Sequence, residues 1–315
     1  MILKRHIQLS LSLIGAIALL AMPMPKAFAQ LETAQAQSAQ SIQQTLKDSA
    51  DLLMRVGTRE FHASEWQRAI DNFSTARNLY IGIDAGGEIS ALNNMGACYR
   101  NLGDLDQAQS LYEEALEKSV EVGDRISEAA ILHNLAEINH YFERYEIALE
   151  QYEQSLALKR SLAGLQGEEK TLNNIGEIYR LLGQFDDALF HLNQSLAIAR
   201  SQGNVYTQIS ALNNIGNVHH ELEDYSTAMG FFETSLATAQ SVGDRDAQAS
   251  ALNNIGETHR STEDYEQALD YYRQSLSIAK EIQNPEMEAI AQTNIDEVNA
   301  IINAVDAAID GADNP

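Results

Sequence analysis

The chain repeats itself every 40 residues, and this period constrains its fold more than any other feature of the sequence. The segment Ser-Ala-Leu-Asn-Asn-Met-Gly at 90–96 returns as Lys-Thr-Leu-Asn-Asn-Ile-Gly at 170–176 and as Ser-Ala-Leu-Asn-Asn-Ile-Gly at 210–216 and 250–256. A looser copy, Ala-Ile-Leu-His-Asn-Leu-Ala, fills 130–136. Such a sequence is typical of stacked copies of one small structural element, each of which buries its apolar face against its neighbours.

An alanine recurs with the same period in the second half of each repeat, with large residues three positions before it and four positions after it. The alanines are Ala108, Ala148, Ala188, Ala228 and Ala268. Offsets of three and four place such residues on one face of an α-helix. Each repeat is therefore predicted to contain two antiparallel helices joined by a short turn, for example helix A at about 88–101 and helix B at about 105–121.

Small residues indicate where these helices end and where they meet. The glycines expected to cap helix B in a left-handed conformation are Gly123, Gly203 and Gly243. The third repeat shifts this glycine to Gly164, and the sixth uses Asn284 and Pro285. The glycines inside helix A are Gly96, Gly176, Gly216 and Gly256. They are expected at close helix contacts, because a side chain there would overpack the interface.

These residues resemble the pattern of tetratricopeptide repeat proteins. In one repeat the pattern stands as Leu172, Ile175, Gly176, Tyr179, Ala188, Leu192 and Ser195. The resemblance covers 48–285 as six repeats, and their 40-residue length is similar to that in kinesin light chain and in spindle-orientation scaffolds. It implies an all-α fold, a right-handed superhelical solenoid of antiparallel helix pairs. A capping helix at 286–310 and a tail at 311–315 are expected to complete it.

The first 29 residues have the organisation of a secretory signal peptide. Lys4 and Arg5 form a charged start, 7–22 is mostly apolar, and Ala27-Phe28-Ala29 supplies a small-x-small site, which predicts cleavage after Ala29. The apolar segment at 7–22 is shorter than the roughly 20 residues that a membrane span needs. Cleavage is therefore favoured, and an uncleaved anchor is the alternative. The mature chain is predicted to be periplasmic or secreted, with a flexible Gln/Ala/Ser-rich lead-in at 30–47.

The chain is strongly acidic, with a formal net charge of −24. Without the first 29 residues, 18 basic residues face 45 acidic ones. Such a surface repels phosphate backbones, which argues against nucleic acid as a partner. The charge is interpreted as a solvated surface, and a basic partner is the alternative. The single cysteine, Cys98, is expected to pack as a small apolar residue, with an intermolecular disulfide as the alternative.

The family resemblance also implies where a partner would bind. In tetratricopeptide folds the A helices line the concave surface, and some members hold an extended peptide there with one asparagine per repeat. The corresponding residues are Asn94, Asn134, Asn174, Asn214, Asn254 and, in the capping helix, Asn294. A side-chain amide offers donors and an acceptor, so it can bind a peptide backbone without reading its sequence.

The preceding asparagines are further binding candidates, and they also suggest a structural role. They are Asn93, Asn173, Asn213 and Asn253. The two adjacent asparagines of a repeat cannot both have the same role. The alternative is therefore that these amides bond between neighbouring A helices and only stabilise the array.

A basic or titratable residue recurs six positions after the ladder asparagines. The series is Arg100, His140, Arg180, His220 and Arg260. If it binds a partner, it favours an acidic side chain or a terminal carboxylate, more so at low pH, where histidine becomes charged. The alternative is ordinary pairing within a helix, as between Glu177 and Arg180 or between Glu257 and Arg260.

The sequence contains no motif that predicts catalysis. A Gly-rich phosphate loop, a Gly-x-Ser-x-Gly elbow and a His-Glu-x-x-His pair are all missing, so no enzyme activity and no cofactor are predicted. His219, His220 and His259 lack further ligands at a zinc spacing. His219 and His259 stand where other repeats have Tyr99 and Tyr179, so they are interpreted as packing residues and not as metal ligands.

The leading interpretation is a non-catalytic scaffold that binds a protein or an extended peptide outside the cytoplasm. Two alternatives remain from the residues alone. One is a structural or assembly protein that self-associates, because the end of a solenoid can pair with another copy. The other is a sensory module that regulates an enzyme on a separate chain.

Overall fold

The structure, a computed structural model, describes residues 24–162 and 166–312, and within these ranges it contains helices, turns and short loops but no β-strand. The described helices are α1 (Met24–His62), α2 (Trp66–Tyr80), α3 (Ala85–Asn101), α4 (Leu105–Val122), α5 (Arg125–Tyr141), α6 (Tyr145–Ser161), α7 (Glu168–Leu181), α8 (Phe185–Gln202), α9 (Val205–Glu221), α10 (Tyr225–Val242), α11 (Arg245–Ser261), α12 (Tyr265–Glu281) and α13 (Pro285–Ala312). The predicted all-α repeat fold is confirmed.

Two kinds of helix alternate along the chain, as the repeat predicts. The A helices are the odd-numbered ones from α3 to α13, together with α1 from residue 48 onward, and the B helices are the even-numbered ones. The predicted pair at 88–101 and 105–121 is observed as α3 and α4. The chain divides into two compact units, unit 1 (Met1–Ser127) and unit 2 (Glu128–Pro315).

Helix ends follow from short polar side chains and from glycine. The aspartates that accept a hydrogen bond from the backbone N–H three residues on, at the starts of α4, α10 and α12, are Asp104, Asp224 and Asp264. The predicted caps of α4, α8 and α10 are left-handed, with φ of 73° at Gly123, 68° at Gly203 and 71° at Gly243. Gly164, the predicted cap of the third repeat, lies outside the described residues.

The last B helix ends differently from the prediction. α12 stops at Glu281, and the left-handed residue after it is Gln283, with φ of 57°. Asn284 begins α13 instead, because its side-chain oxygen accepts the backbone N–H of Met287 at 3.0 Å. Pro285 is the first residue of α13, a position where a missing N–H costs no helical hydrogen bond. The predicted cap of the sixth repeat is therefore wrong, since Asn284 and Pro285 start a helix.

Glycine allows the A and B helices of one repeat to approach closely. A Cβ atom on Gly176 would lie 2.6 Å from Cγ of Leu192, and one on Gly216 would lie 2.5 Å from Cε1 of Phe232. The equivalent glycines that face a tyrosine ring are Gly96 and Gly256. No side chain fits at these distances, so the predicted close contacts are confirmed.

The A helices of unit 2 lie next to one another. α7 contacts α9, α9 contacts α11, and α11 contacts α13. Each of α8, α10 and α12 packs against the A helix before it and the A helix after it. α13 covers the last pair with the buried side chains of Ile295 and Val298. The Leu-Asn-Asn-Ile-Gly segments of successive repeats are therefore brought side by side.

α1 is the longest described helix, and it includes the segment predicted as a flexible lead-in. It runs from Met24 through 30–47 to His62, so the lead-in is helical here, and its flexibility stays a prediction. The predicted cleavage site at 27–29 falls in the first turns of α1, while the signal-peptide residues before Met24 lie outside the described residues. In the described ranges no helix is long and apolar enough to cross a membrane.

Candidate functional site

The asparagines of unit 2 form one polar surface on the A helices, here called the asparagine face. Its members are Asn173 and Asn174 of α7, Asn213 and Asn214 of α9, Asn253 and Asn254 of α11, and Asn294 of α13. All are half-buried except Asn173, which is buried. Because the A helices carry them at the same register, adjacent helices place them opposite one another. Asn134 lies on α5 in the same unit, and Asn94 lies on α3 in unit 1.

Two asparagine pairs tie neighbouring A helices together. The Asn214 side chain donates to Oδ1 of Asn173 at 3.2 Å, which joins α9 to α7. The Asn294 side chain donates to Oδ1 of Asn253 at 2.8 Å, which joins α13 to α11. In both cases the first asparagine of one repeat accepts from the second asparagine of the next. The structural alternative considered from the sequence therefore holds at these two positions.

The asparagine pair that lies between these two, Asn213 of α9 with Asn254 of α11, is open, which means that no hydrogen bond joins the two side chains. By register, Asn254 of α11 should donate to Asn213 of α9, but Oδ1 of Asn213 is enclosed and has no hydrogen-bond partner in the described part of the chain. A buried polar atom left in this way costs roughly 1–3 kcal/mol. The α9–α11 pair thus differs from its neighbours on both sides, and the sequence does not predict which pair is open, because all three have the same residues.

Asn174 is held by the B helix of the preceding repeat. Its side chain donates to the hydroxyl of Tyr152 on α6 at 3.0 Å, and Asn173 donates to Oδ1 of Asn174 at 3.4 Å. The Tyr152 ring is fully buried and makes an edge-on contact with His133, with ring centroids 5.2 Å apart. This end of the asparagine face is therefore fixed by the core beneath it.

The basic series also ties A helices together, and its members behave differently. Arg180 of α7 forms an ion pair with Glu221 of α9. His220 of α9 lies 3.1 Å from the hydroxyl of Ser261 on α11. His140 makes an edge-on ring contact with Tyr145, with ring centroids 6.0 Å apart. The last two members are placed as follows: Arg100 near the end of α3 in unit 1, and Arg260 near the end of α11.

Arg260 is held by its own helix, as the alternative interpretation predicts. Its Nε lies 2.9 Å from Oε2 of Glu257, and the same oxygen accepts the hydroxyl of Tyr272 at 2.8 Å. Burial pushes the pKa of Glu257 up, but the hydrogen bonds from Arg260 and Tyr272 outweigh it, so this pKa lies below its usual value. Glu257 is therefore a carboxylate that keeps Arg260 in place. For Arg180 the predicted partner was Glu177, and the structure pairs it with Glu221 instead.

Two of the three histidines weighed as metal ligands, His219 and His259, pack against aromatic rings, as predicted. His219 stacks on Phe231 with centroids 5.6 Å apart, and His259 stacks on Tyr271 at 5.4 Å. In the preceding repeat the order is reversed, and Tyr179 stacks on a histidine at 5.2 Å. Three repeats thus have a stacked pair of rings at the same place, one ring from the A helix and one from the B helix. The histidine is on the B helix in the first of these repeats and on the A helix in the other two. Among the described residues, no group of three or more His, Cys, Asp or Glu side chains could hold a metal ion.

Unit 1 contains a cavity of about 700 Å³ that the sequence did not predict. Lys47 of α1 forms an ion pair with Asp84 at the start of α3, and Tyr80 donates to Asp51 at 2.6 Å. The Lys47 hydrogen bond lowers the pKa of Asp84, and Asp84 in turn raises that of Lys47. These charges neutralise one another and join α1 to α3. They are far apart in sequence, so no short motif could reveal them.

A family model described as tetratricopeptide repeat matches residues 48–119, 87–161, 127–201 and 207–281, which together are more than half of the chain. The chain belongs to the tetratricopeptide repeat family. No curated protein matched the sequence.

Similar solved structures share the fold of this tetratricopeptide repeat protein at low identity. BtubC (BKLC) from P. vanneervenii has a TM-score of 0.57 at 20% identity, over 75% of this chain and 93% of that one. A Rap protein complexed with competence and sporulation factor has a TM-score of 0.62 at 16% identity, over 85% and 90%. The APC/C hetero-tetramer Cut9–Hcn1 has a TM-score of 0.63 at 18% identity, over 82% and 45%.

Proposed function

We propose that this protein is a non-catalytic scaffold that binds a protein or an extended peptide on the asparagine face, outside the cytoplasm. The observation that carries the proposal is the open pair of Asn213 and Asn254 between two closed pairs. Membership of a family of repeat scaffolds supports it. Two proteins of similar fold are also found in complexes, the Rap protein with competence and sporulation factor and Cut9 with Hcn1.

An extended backbone supplies the groups that the open pair lacks. A peptide N–H can donate to Oδ1 of Asn213 once this half-buried amide rotates, and a peptide carbonyl can accept from Asn254. The closed pairs would have to break a bond between helices first, so the open pair is the favoured first contact. Neighbouring helices lie roughly 10 Å apart and a strand rises about 3.3 Å per residue, so one asparagine pair serves about three peptide residues.

Two matched asparagine variants test this binding site. A peptide that binds the wild-type chain is selected from a displayed library, and its affinity is then measured for Asn254→Ala and for the control Asn214→Ala. Asn254→Ala should weaken binding by up to about tenfold, the loss expected for one amide hydrogen bond, and leave the unfolding temperature unchanged. Asn214→Ala should lower the unfolding temperature, because it breaks the tie to Asn173. Full affinity of Asn254→Ala would contradict the proposal.

Export is the second part of the proposal, and it depends on the signal-peptide pattern at 1–29. The full chain is expressed in a bacterium with an outer membrane, and the mass of the periplasmic protein is determined. A protein that begins at Gln30 supports export and cleavage. A protein that keeps Met1 and stays with the inner membrane supports the anchor instead.

Self-association is a second candidate, favoured by apolar side chains that stay exposed on the last helix. Ile290 is 41% exposed and Val305 is 48% exposed on α13. Light scattering of the mature chain with and without residues 286–315 tests this contact. A dimer that is lost on truncation supports it, and a monomer in both cases removes it. A sensory module would use the asparagine face, so the variants above test that role as well.

A further inference from the structure

The junction between α6 and α7 departs from the pattern of the other repeats in unit 2. α6 ends at Ser161 and is followed by Leu162 in an extended conformation, without a left-handed cap. α7 begins at Glu168, three register positions later than α9 and α11 begin. Gly167, with φ of 92°, precedes it. The first turn of an A helix is therefore replaced at this one junction.

Polar residues take the place of small or apolar core residues at this junction. Lys159 of α6 stands where the later repeats have the fully buried Ala199, Ala239 and Ala279. Thr171 of α7 stands where they have Ala211, Ala251 and Ala291. Lys159 is only 9% exposed and Thr171 is fully buried. The side chains of Lys159 and Thr171 contact each other, so the two replacements form one polar cluster in the core.

Thr171 connects the buried lysine to a histidine on α5. Nζ of Lys159 lies 2.7 Å from Oγ1 of Thr171 and 3.2 Å from the carbonyl oxygen of Gly167. Oγ1 of Thr171 also lies 3.1 Å from the same carbonyl and 3.1 Å from Nδ1 of His133. The other ring nitrogen, Nε2, lies 3.4 Å from a carboxylate oxygen of Glu137. A continuous chain of contacts thus runs from the core to the polar side of α5.

The hydroxyl of Thr171 has one proton and three neighbours that can accept it, so the protons must be distributed. A charged Lys159 is a donor only. It donates to Thr171, whose proton is then available to Nδ1 of His133, and Nε2–H of His133 faces Glu137. A neutral Lys159 has a lone pair that can accept the Thr171 proton, and it keeps two N–H groups. When the Thr171 proton turns to this lone pair, Nδ1 of His133 has to carry a proton and donate to Thr171, because two unprotonated atoms would otherwise face each other.

We propose that Lys159, Thr171 and His133 form a proton relay, in which the charge of the buried lysine selects the ring nitrogen of His133 that carries the proton. The proton that Lys159 loses passes to Thr171, the Thr171 proton passes to Nδ1 of His133, and the proton on Nε2 leaves to solvent on the Glu137 side. Nε2 then becomes an unprotonated nitrogen that faces a carboxylate. That contact is unfavourable, so Glu137 and His133 must separate.

The surroundings of Lys159 place its titration within reach of neutral pH. Burial lowers its pKa to about 8, with Glu169 of α7 opposing this change and Lys170 of α7 adding to it. On the α5 side, His133 and Glu137 are the titratable groups in the chain of contacts. On α6 itself, Arg160 is engaged by Glu168 at 2.7 Å. The charge of Lys159 therefore changes near neutral pH, while Arg160 stays paired with Glu168.

The relay ends next to the asparagine face. His133 occupies the register position of Asn173, and its ring contacts Tyr152, whose hydroxyl accepts from Asn174. A change of donor at His133 therefore alters the first hydrogen-bonding position beside Asn174. The change of tautomer needs no partner, whereas any effect on binding depends on the function proposed above.

Nitrogen NMR of histidine tests the relay on the mature chain alone, so its outcome does not depend on whether a partner binds. The chain is labelled with ¹⁵N-histidine, His133→Gln identifies the His133 signals, and spectra are recorded between about pH 7 and pH 10. Nδ1 of His133 should move from the unprotonated to the protonated shift range with a midpoint near the pKa of Lys159. His140, on the same helix and outside the cluster, should show no such change.

Two variants decide between the relay and an effect of His133 itself. Lys159→Met removes the titrating group, and Thr171→Val removes the hydroxyl but keeps the shape of the side chain. Circular dichroism checks that each variant is folded. If one variant does not fold, the other is sufficient for the test. The change at Nδ1 should disappear in both. A wild-type His133 that keeps one tautomer throughout, or a folded variant that still shows the transition, would overturn the proposal.

Discussion

Glycine at position 216 leaves space that the buried ring of Phe232 fills. A Cβ atom there would meet Cε1 of Phe232 at 2.5 Å, and the ring is only 1% exposed, so it cannot move into solvent. Alanine gains about 1 kcal/mol over glycine in a helix, but overpacking costs about 1–3 kcal/mol. At this distance the overpacking is expected to be the larger effect.

Gly216→Ala should therefore lower the free energy of unfolding by about 1–2 kcal/mol. Gly230→Ala is the matched control, because Gly230 is also inside a helix and has nothing within 4 Å of its Cβ position. It should raise the free energy of unfolding by up to about 1 kcal/mol. Urea unfolding of both variants measures the difference. If both variants changed the free energy of unfolding equally and in the same direction, the contact with Phe232 would not be what requires glycine at position 216.

Single residues also show where sequence reasoning ends. The 40-residue register placed Asn173, Asn213 and Asn253 on one surface, because helical periodicity fixes the face on which a residue lies. It could not say that Asn173 accepts from Asn214 whereas Oδ1 of Asn213 has no donor among the described residues, since that depends on side-chain rotations between two helices. The contacts of Lys159 with Thr171 and His133 also required the fold.

At the scale of the helices, the turns between the A and B helices of one repeat adopt one conformation with three kinds of residue. A left-handed residue occupies the turn in each case: Ser64, Gly103, Glu143, Gly183, Glu223 and Glu263. The φ angle is 71° at Gly183 and 59° at Glu223. The left-handed conformation costs a residue with a Cβ atom about 1–2 kcal/mol, while glycine loses more conformational entropy on folding. Glycine is expected to retain a net advantage.

Glu223→Gly should therefore raise the free energy of unfolding by about 0.5–1 kcal/mol. Glu223 is exposed, so little packing is lost. The reverse exchange in the neighbouring repeat, Gly183→Glu, should lower it by a similar amount. Thermal unfolding of the two variants is the measurement. Opposite signs support the conformational argument, and a loss of stability in both would contradict it.

The helices themselves were largely predictable, and the exceptions have physical causes. The A helix predicted at 88–101 is observed at Ala85–Asn101, because apolar spacing locates the middle of a helix better than its first turn. α7 starts late, since the residue before it is the left-handed Gly167, at the register where Thr207 and Ala247 lie inside the first turns of α9 and α11. The composition of 30–47 favoured a flexible segment, yet it is continuous with α1, whose later turns pack against α2.

At the scale of the whole molecule, a repeat array transmits stability only between neighbours. In unit 2, α13 contacts α12 and α11. Its buried side chains, Ile295 and Val298, cover the apolar face of α12. Loss of this cover should destabilise α12 first and should leave α7 and α8 as they were, because α7 contacts α6, α8 and α9, and α8 contacts α7 and α9.

Burying charge under α13 should therefore unfold the end of the array and not the whole of it. In the double variant Ile295→Asp and Val298→Asp, two carboxylates would lose their hydration in the core, which costs several kcal/mol. Hydrogen exchange read by mass spectrometry should show lost protection in α12 and α13, with protection kept in α7 and α8. The control places the same charges on the exposed side, at Gln292 and Thr293, and should change neither. Uniform loss from α7 to α13 would mean that the helices of unit 2 unfold as one cooperative block, against the nearest-neighbour description.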